Sequence, residues 1–203
     1  VASMLLFSAA AAAGSRLQPG DIEYLGAFRL PPAPGFEYGG GGLAFRPDGD
    51  PRGQSDGFPG SLFVIGHDQT QEIAEVSIPA PGDLSDGIDA MPRAGFLQRF
   101  ADVTDDMFGE LEVARSDVEF LADGPGSLWI VTGQHFMAGF DPVLAMCTPD
   151  LSRTSTMGPW TVGNASPYAT CDYLFEIPHD WSEENLPGAR LACGRFRDGG
   201  WGG

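Results

Sequence analysis

The chain writes one strand signature twice, GSLFVIGH at 60–67 and GSLWIVTGQH at 126–135, and each copy stands in the same setting. Upstream of the first lies GGLAFRPDGD at 41–50, and upstream of the second SDVEFLADG at 116–124, so each dense apolar run follows a shorter one through an Asp-Gly turn. A run of β-branched and aromatic residues bounded by glycine reads as a buried strand. Downstream, IAEVSIP at 73–79 alternates Ala74, Val76 and Ile78 with Glu75 and Ser77, the period of a half-buried strand. YLFEIP at 173–178 ends in the same way. A fourth element, YLGAFRL at 24–30, FLQRFAD at 96–102 and LACGRFRD at 191–198, recurs around Phe28, Phe100 and Phe196.

These recurrences define two units, 37–102 and 112–198, each reading strand, turn, strand, turn, strand, longer loop, strand. In the second, the segment 137–172 is rich in Thr, Ser, Pro and Gly and reads as a surface insertion. No amphipathic helix separates the strands. A four-stranded antiparallel sheet cannot cover both of its own faces, and repeating it lets neighbours cover each other. The expectation is therefore an all-β chain forming a partial β-propeller with four-stranded antiparallel blades; a β-sandwich is the alternative that turn spacing also allows. The segment 24–30 matches the last strand of a unit yet precedes the first complete one, which predicts that it closes a blade whose other strands are missing. Through its Gly-Gly-Leu-Ala-Phe and Gly-Ser-Leu-Phe motifs the chain, from about Tyr24 to Gly203, resembles exported bacterial β-propeller proteins of unknown function. The resemblance implies an architecture rather than an activity. Neither a WD dipeptide nor a kelch double glycine recurs in register.

Composition narrows the chemistry. The 203 residues carry 28 acidic against 11 basic side chains, net −17, and every basic residue is Arg. Without Lys, a Schiff base, a P-loop lysine and a Ser–Lys dyad are excluded within this chain. The acidity argues against nucleic acid and against an anionic membrane surface, both of which need a basic face. Gly (29) and Pro (17) are abundant, but 42% hydrophobic residues and 14 Phe fit short strands joined by turns rather than a disordered chain.

The opening apolar run, from about Met4 to Ala13 and followed by a polar break, reads as the remnant of an export signal over 1–18, too short to span a bilayer. The incomplete domain then occupies 19–203, and the Gly-rich close GRFRDGGWGG is read as the middle of a loop. The expected location is periplasmic, cell-surface or extracellular. Cys147, Cys171 and Cys193 lack CxxC spacing, which argues against structural zinc. In an oxidising compartment a Cys147–Cys171 bridge is one pairing, with Cys193 left odd or paired elsewhere; spacing does not settle the connectivity.

Under the propeller reading, the turn after each second strand and the loop leading into each first strand reach one rim. His67, Asp68 and His135 lie in the turns, and Glu37 and Glu112 in the loops, at the same offset from the aligned Phe45 and Phe120. Such a rim can bind a divalent metal, zinc or calcium, or supply acid–base groups. The structural alternative is that each His bonds the backbone of the next blade and each Glu caps a turn or pairs with Arg. Asp48, Asp50 and Asp56 in PDGDPRGQSDG offer oxygen ligands for calcium without the EF-hand spacing. No GxSxG motif is present, and Ser61 and Ser127 open buried strands. Two functions follow. One is a binding or scaffold module presenting rim loops, with aromatics such as Tyr38, Trp160, Tyr168 and Trp181, to a glycan, peptide or protein. The other is a metal-assisted hydrolase or lyase using Glu37, His67, Glu112 and His135.

Overall fold

The Gly-Ser-Leu signature has a steric cause. Gly60 and Gly126 both hold positive φ, +93° and +81°. A Cβ on Gly60 would lie 2.6 Å from the ring of Phe45, and one on Gly126 would lie 2.6 Å from the ring of Phe120. In each copy the aromatic residue of the first strand therefore lies over the glycine that opens the second, and no side chain fits between them.

The computed structural model of the chain describes residues 18–195 apart from 33, 40, 56–57, 112–113, 125 and 135–140. The first sheet runs β1 (Leu43–Arg46), β2 (Ser61–Ile65), β3 (Ile73–Ser77), β4 (Phe96–Ala101), paired in chain order and antiparallel throughout. The second repeats the meander with β5 (Ala114–Leu121), β6 (Ser127–Gln134), β7 (Leu144–Cys147) and β8 (Thr156–Trp160). A hairpin of β9 (Tyr173–Glu176) and β10 (Leu191–Gly194) follows, with the short helix α1 (His179–Asn185) at its tip. The fold is all-β, built from antiparallel sheets. The two copies of the signature lie in separate sheets and occupy the same place in each.

Register explains why both faces of the sheets are apolar. Phe45 pairs with Leu62 and Leu62 with Val76; Phe120 pairs with Leu128 and Leu128 with Cys147. Directly opposed residues share a face, so each sheet has a front carrying these side chains and a back carrying the alternating set. The back of the first sheet (Ala44, Phe63, Ile65, Ile73) meets the front of the second (Val118, Phe120, Leu128, Ile130, Cys147) in one buried core. The back of the second (Trp129, Val131, Leu144) meets the front of the hairpin (Leu174, Leu191, Cys193) in another. The same stacking step is thus taken twice. Burial of each large side chain here contributes about 2 kcal/mol, and β5 lies beside β1 as β9 lies beside β5.

A buried polar network crosses the first interface. Glu75, 2% exposed, accepts the Ser61 hydroxyl at 2.5 Å and the Gln98 amide at 2.5 Å, with Arg46 at 3.4 Å. A register shift in β3–β4 sets Gln98 opposite Glu75. Gln98 reaches on to the second sheet, donating to the Pro149 carbonyl and accepting the Leu151 N–H, both at 2.8 Å.

Three expectations are corrected. The segment 137–172 is not a surface insertion, because it supplies β7 and β8. YLFEIP and LACGRFRD are not the third and fourth strands of the second unit; they hold β9 and β10, which pair with each other in a separate two-stranded sheet. Tyr24–Leu30 forms no strand but touches the connection between β3 and β4 through single bridges, Ala27 to Gly82 and Arg29 to Arg93. It lays Phe28 and Leu30, with Phe36, on the front of the first sheet over Val64 and Val76. The cysteines are free thiols, with Cys147 in the first core and Cys193 beside the second. The proposed leader lies, but for residue 18, outside the described residues. Among those described, no helix is long and apolar enough to cross a membrane.

Candidate functional site

The turn joining β2 to β3 closes with Gly66 N–H on the Glu72 carbonyl at 2.8 Å, and Thr70 and Gln71 both donate to the His67 carbonyl at 3.0 Å. His67 is held within it: its Nδ1 accepts the Gln69 N–H at 3.1 Å. The loop leading into β1 lies against this turn through a Gly39–His67 bridge. A Cβ on Gly39 would stand 2.2 Å from the Gly66 carbonyl oxygen, so the approach requires glycine there.

That approach brings Glu37 and His67 together. The Glu37 carboxylate accepts the Gly35 N–H at 2.7 Å. This bond, with smaller help from the charge of His67, holds its pKa below the ordinary value. Tyr38, at positive φ, sets its ring edge-on to His67 with centroids 5.8 Å apart. Asp68 turns the other way, toward the second unit, where its carboxylate lies 3.8 Å from the Arg115 guanidinium. Glu112 and His135 fall outside the described residues, as does Asp56.

The Asp-rich turn is organised by arginine. Asp48 accepts Arg46 Nε at 3.2 Å, and buried Asp50 accepts the Arg52 N–H at 2.9 Å with Arg52 Nε at 3.6 Å. Among the described residues no three His, Cys, Asp or Glu side chains are arranged to hold a metal ion.

Two cavities open on this rim. The outer, of about 370 Å³, lies between the β2–β3 turn and the link from β4 to β5; Gln69, Asp102, Asp106, Phe108, Glu110 and Thr132 are among its walls. The inner, of about 150 Å³, lies where three units converge, between Asp68 of the first, Arg115 of the second, and Asp172 and Tyr173 of the hairpin. Gln71 belongs to both walls. Sequence reasoning located His67, Asp68 and Glu37 but passed over Gln69, Gln71, Phe108 and Arg115. TDDMFGE at 104–110, which supplies Asp106, Phe108 and Glu110, offers no local signal beyond its acidic residues.

Fold and site together define an all-β protein of face-stacked antiparallel sheets with an acidic groove at the junction of its units. Comparison with protein-family models, with curated proteins and with solved structures returns no match.

Proposed function

We propose that the chain is an arc of a β-propeller from an exported protein, and that its rim groove is a recognition site without chemistry of its own. The observation that carries the reading is the repeated stacking step. Val118 and Phe120 are covered by the preceding sheet, whereas their counterparts on β1, Leu43 and Phe45, are 61% and 48% exposed. At the other end, the back of β9 leaves Tyr173 and Phe175 47% and 54% exposed. Apolar side chains left exposed on β1 at one end of the stack and on the back of β9 at the other suit further units in a ring, and adjacent first strands suit a common axis. A sandwich would instead close its two sheets on one core.

Loops from successive units meeting at one rim supply a groove of ligand size with amide, hydroxyl, carboxylate and aromatic walls, the mix that recognition of a glycan, peptide or protein surface uses. The experimental structure of the chain within its complete reading frame tests the architecture. A ring with β1, β5 and β9 around one axis is expected; a closed two-sheet sandwich overturns it. Arrays of glycans and peptides probed with the purified chain test the function. Saturable binding weakened by Phe108→Ala is expected, and no binding on either array overturns it.

One observation favours the second reading, a divalent metal at the rim serving a hydrolase or lyase: the Glu37 carboxylate feels the charge of His67. Zinc or calcium retained through dialysis by the parent protein and lost in His67→Ala is its expected signature; equal metal content in both sinks it.

A further inference from the structure

We infer that the open edge of β1 receives a strand with acidic side chains at alternate positions, an Asp or Glu at i and i+2, whose carboxylates accept the backbone N–H groups of Leu43 and Phe45. This rests on the reading of the chain as an arc of a propeller and names what the adjoining unit presents to it. The ladder fixes which groups of β1 are open. Ile65 donates to the Gly42 carbonyl at 3.1 Å, and β1 and β2 then run in unbroken register from Leu43–Val64 to Arg46–Ser61. Antiparallel pairs alternate between bonded and non-bonded. Gly42, Ala44 and Arg46 therefore bond to β2, and the N–H and C=O groups of Leu43 and Phe45 face the other way. Among the described residues no strand pairs along that edge.

The equivalent edge is served by carboxylates twice along the stack. On β5, Asp117 and Glu119 accept the N–H groups of Val118 and Phe120, the counterparts of Leu43 and Phe45. On β9, Ile177 donates to the Arg190 carbonyl at 2.9 Å, so by the same alternation Leu174 and Glu176 face away from β10. Their N–H groups are accepted by the second oxygens of Asp117 and Glu119. One i, i+2 pair thus serves two strand edges. β1 cannot serve itself, because Gly42 and Ala44 stand where β5 has Asp117 and Glu119. A Cβ on Gly42 would lie 2.3 Å from Asp117 Oδ1, so no acidic residue fits there. Once a neighbour covers the exposed side chains of Leu43 and Phe45, the two donors beside them lose water and need acceptors. A carboxylate makes the stronger bond to them.

Other occupants lack these features. A strand pairing through its own backbone would add a fifth member to the first sheet, whereas β1, β5 and β9 lie side by side in three separate sheets. A second copy offering its open β9 brings Tyr173 and Phe175 on the face where β5 carries the carboxylates, and so brings no acceptor.

Two-dimensional NMR of the isotope-labelled chain tests this with capped Ser-Asp-Val-Glu-Phe-Leu-Ala, the sequence of 116–122. The comparators are the same peptide with Asn and Gln for its acids, and Ser-Val-Asp-Glu-Phe-Leu-Ala, which keeps the charge and loses the spacing. Saturable shifts of the Leu43 and Phe45 N–H signals are expected, with both comparators weaker by about fivefold or more. Against a chain of net charge −17, diffuse attraction cannot favour the acidic peptides. Equal binding of all three means backbone or apolar contact and overturns the inference. So do shifts confined to Leu174 and Glu176, which mean exchange with β5, and the absence of any shift up to millimolar peptide. Self-association of the free chain through this edge places a second copy there and also overturns it. In the structure of the complete reading frame, a ring whose strand beside β1 lacks the acidic pair sinks this inference alone; a closed sandwich removes the propeller reading with it.

Discussion

The Asp117 carboxylate accepts backbone N–H groups from two units at once, Val118 on its own strand at 2.8 Å through Oδ1 and Leu174 on β9 at 2.9 Å through Oδ2. Glu119, two residues on, repeats the arrangement with Phe120 at 2.9 Å and Glu176 at 3.1 Å. The edge of β9 that does not face β10 thus has its donors met by side chains rather than by another strand. Burial pushes Asp117 up to about 6, against the pull of its two N–H donors and with the like charge of Glu119 adding to the rise.

The pH dependence follows from that direction. A carboxyl whose folded pKa lies above its ordinary 3.8 holds its proton more tightly in the folded chain. Its contribution is most favourable below about 4, declines as pH rises to about 6 and is constant above. In full, a two-unit displacement is worth ~3 kcal/mol, which partial exposure of the side chain reduces to about 1 kcal/mol. Asn at this position keeps one acceptor and loses the other. Asp117→Asn is therefore expected to be less stable than wild type at pH 4, by about 1–2 kcal/mol. The gap should narrow by about 1 kcal/mol at pH 7. Denaturant unfolding of both chains at the two pH values measures this, and a gap that widens with pH refutes the assignment.

The glycine under each aromatic gives a second test. Gly60→Ala and Gly126→Ala combine a positive φ with overlap on Phe45 and Phe120, and each is expected to cost about 2–4 kcal/mol. Gly124, at φ +61°, has open space around its Cβ position. Gly124→Ala should therefore cost only about 1 kcal/mol, from the backbone alone. Equal losses at all three sites in urea unfolding would show that the ring contact contributes nothing.

That contact also explains what the sequence reveals. Phe and Gly are both needed wherever a first strand turns into a second, so the pair recurs visibly, and β1, β2, β5 and β6 follow from it. β3 shows itself by alternation and β4 by Phe96 and Phe100. β7 and β8 are hidden because LAMC and TMGPW are short and sit among Thr, Ser and Pro, where composition suggests a loop. YLFEIP mimics IAEVSIP because both alternate and end in Ile-Pro, yet period 2 specifies a strand and not its partner. The rim was legible where His67 and Glu37 recur by position. Gln71 was not, since it joins the cavity walls only once the chain is folded.

The network at Glu75 yields a third prediction. Glu75→Ala strands the Ser61 hydroxyl and the Gln98 amide in the interface between the first two sheets and is expected to destabilise by about 3 kcal/mol. Gln98→Ala removes the side chain that links this carboxylate to the Pro149–Leu151 turn, so the two sites are coupled. The double variant should fall short of the summed single losses by about 1 kcal/mol. Strict additivity in a thermodynamic cycle would mean that Glu75 supports the first sheet alone.

The thiols provide the last test. Burial pushes Cys147 up to about 12 and Cys171 up to about 11, the latter with the neighbouring Asp172 charge acting in the same direction. Cys193 is also raised by burial, but it is only half-buried on the outermost hairpin. The thiolate is the reactive form, so at pH 8 fewer than about one in a thousand Cys147 or Cys171 side chains is reactive even where reagent can reach them. In the reduced native chain, Ellman's reagent should therefore label Cys193 first, as the hairpin frays, and the other two at the rate of global unfolding. All three should react at once in guanidinium. Rapid native labelling of Cys147 would mean that the face of β7 is open to solvent, which contradicts the stacking of the second sheet on the first.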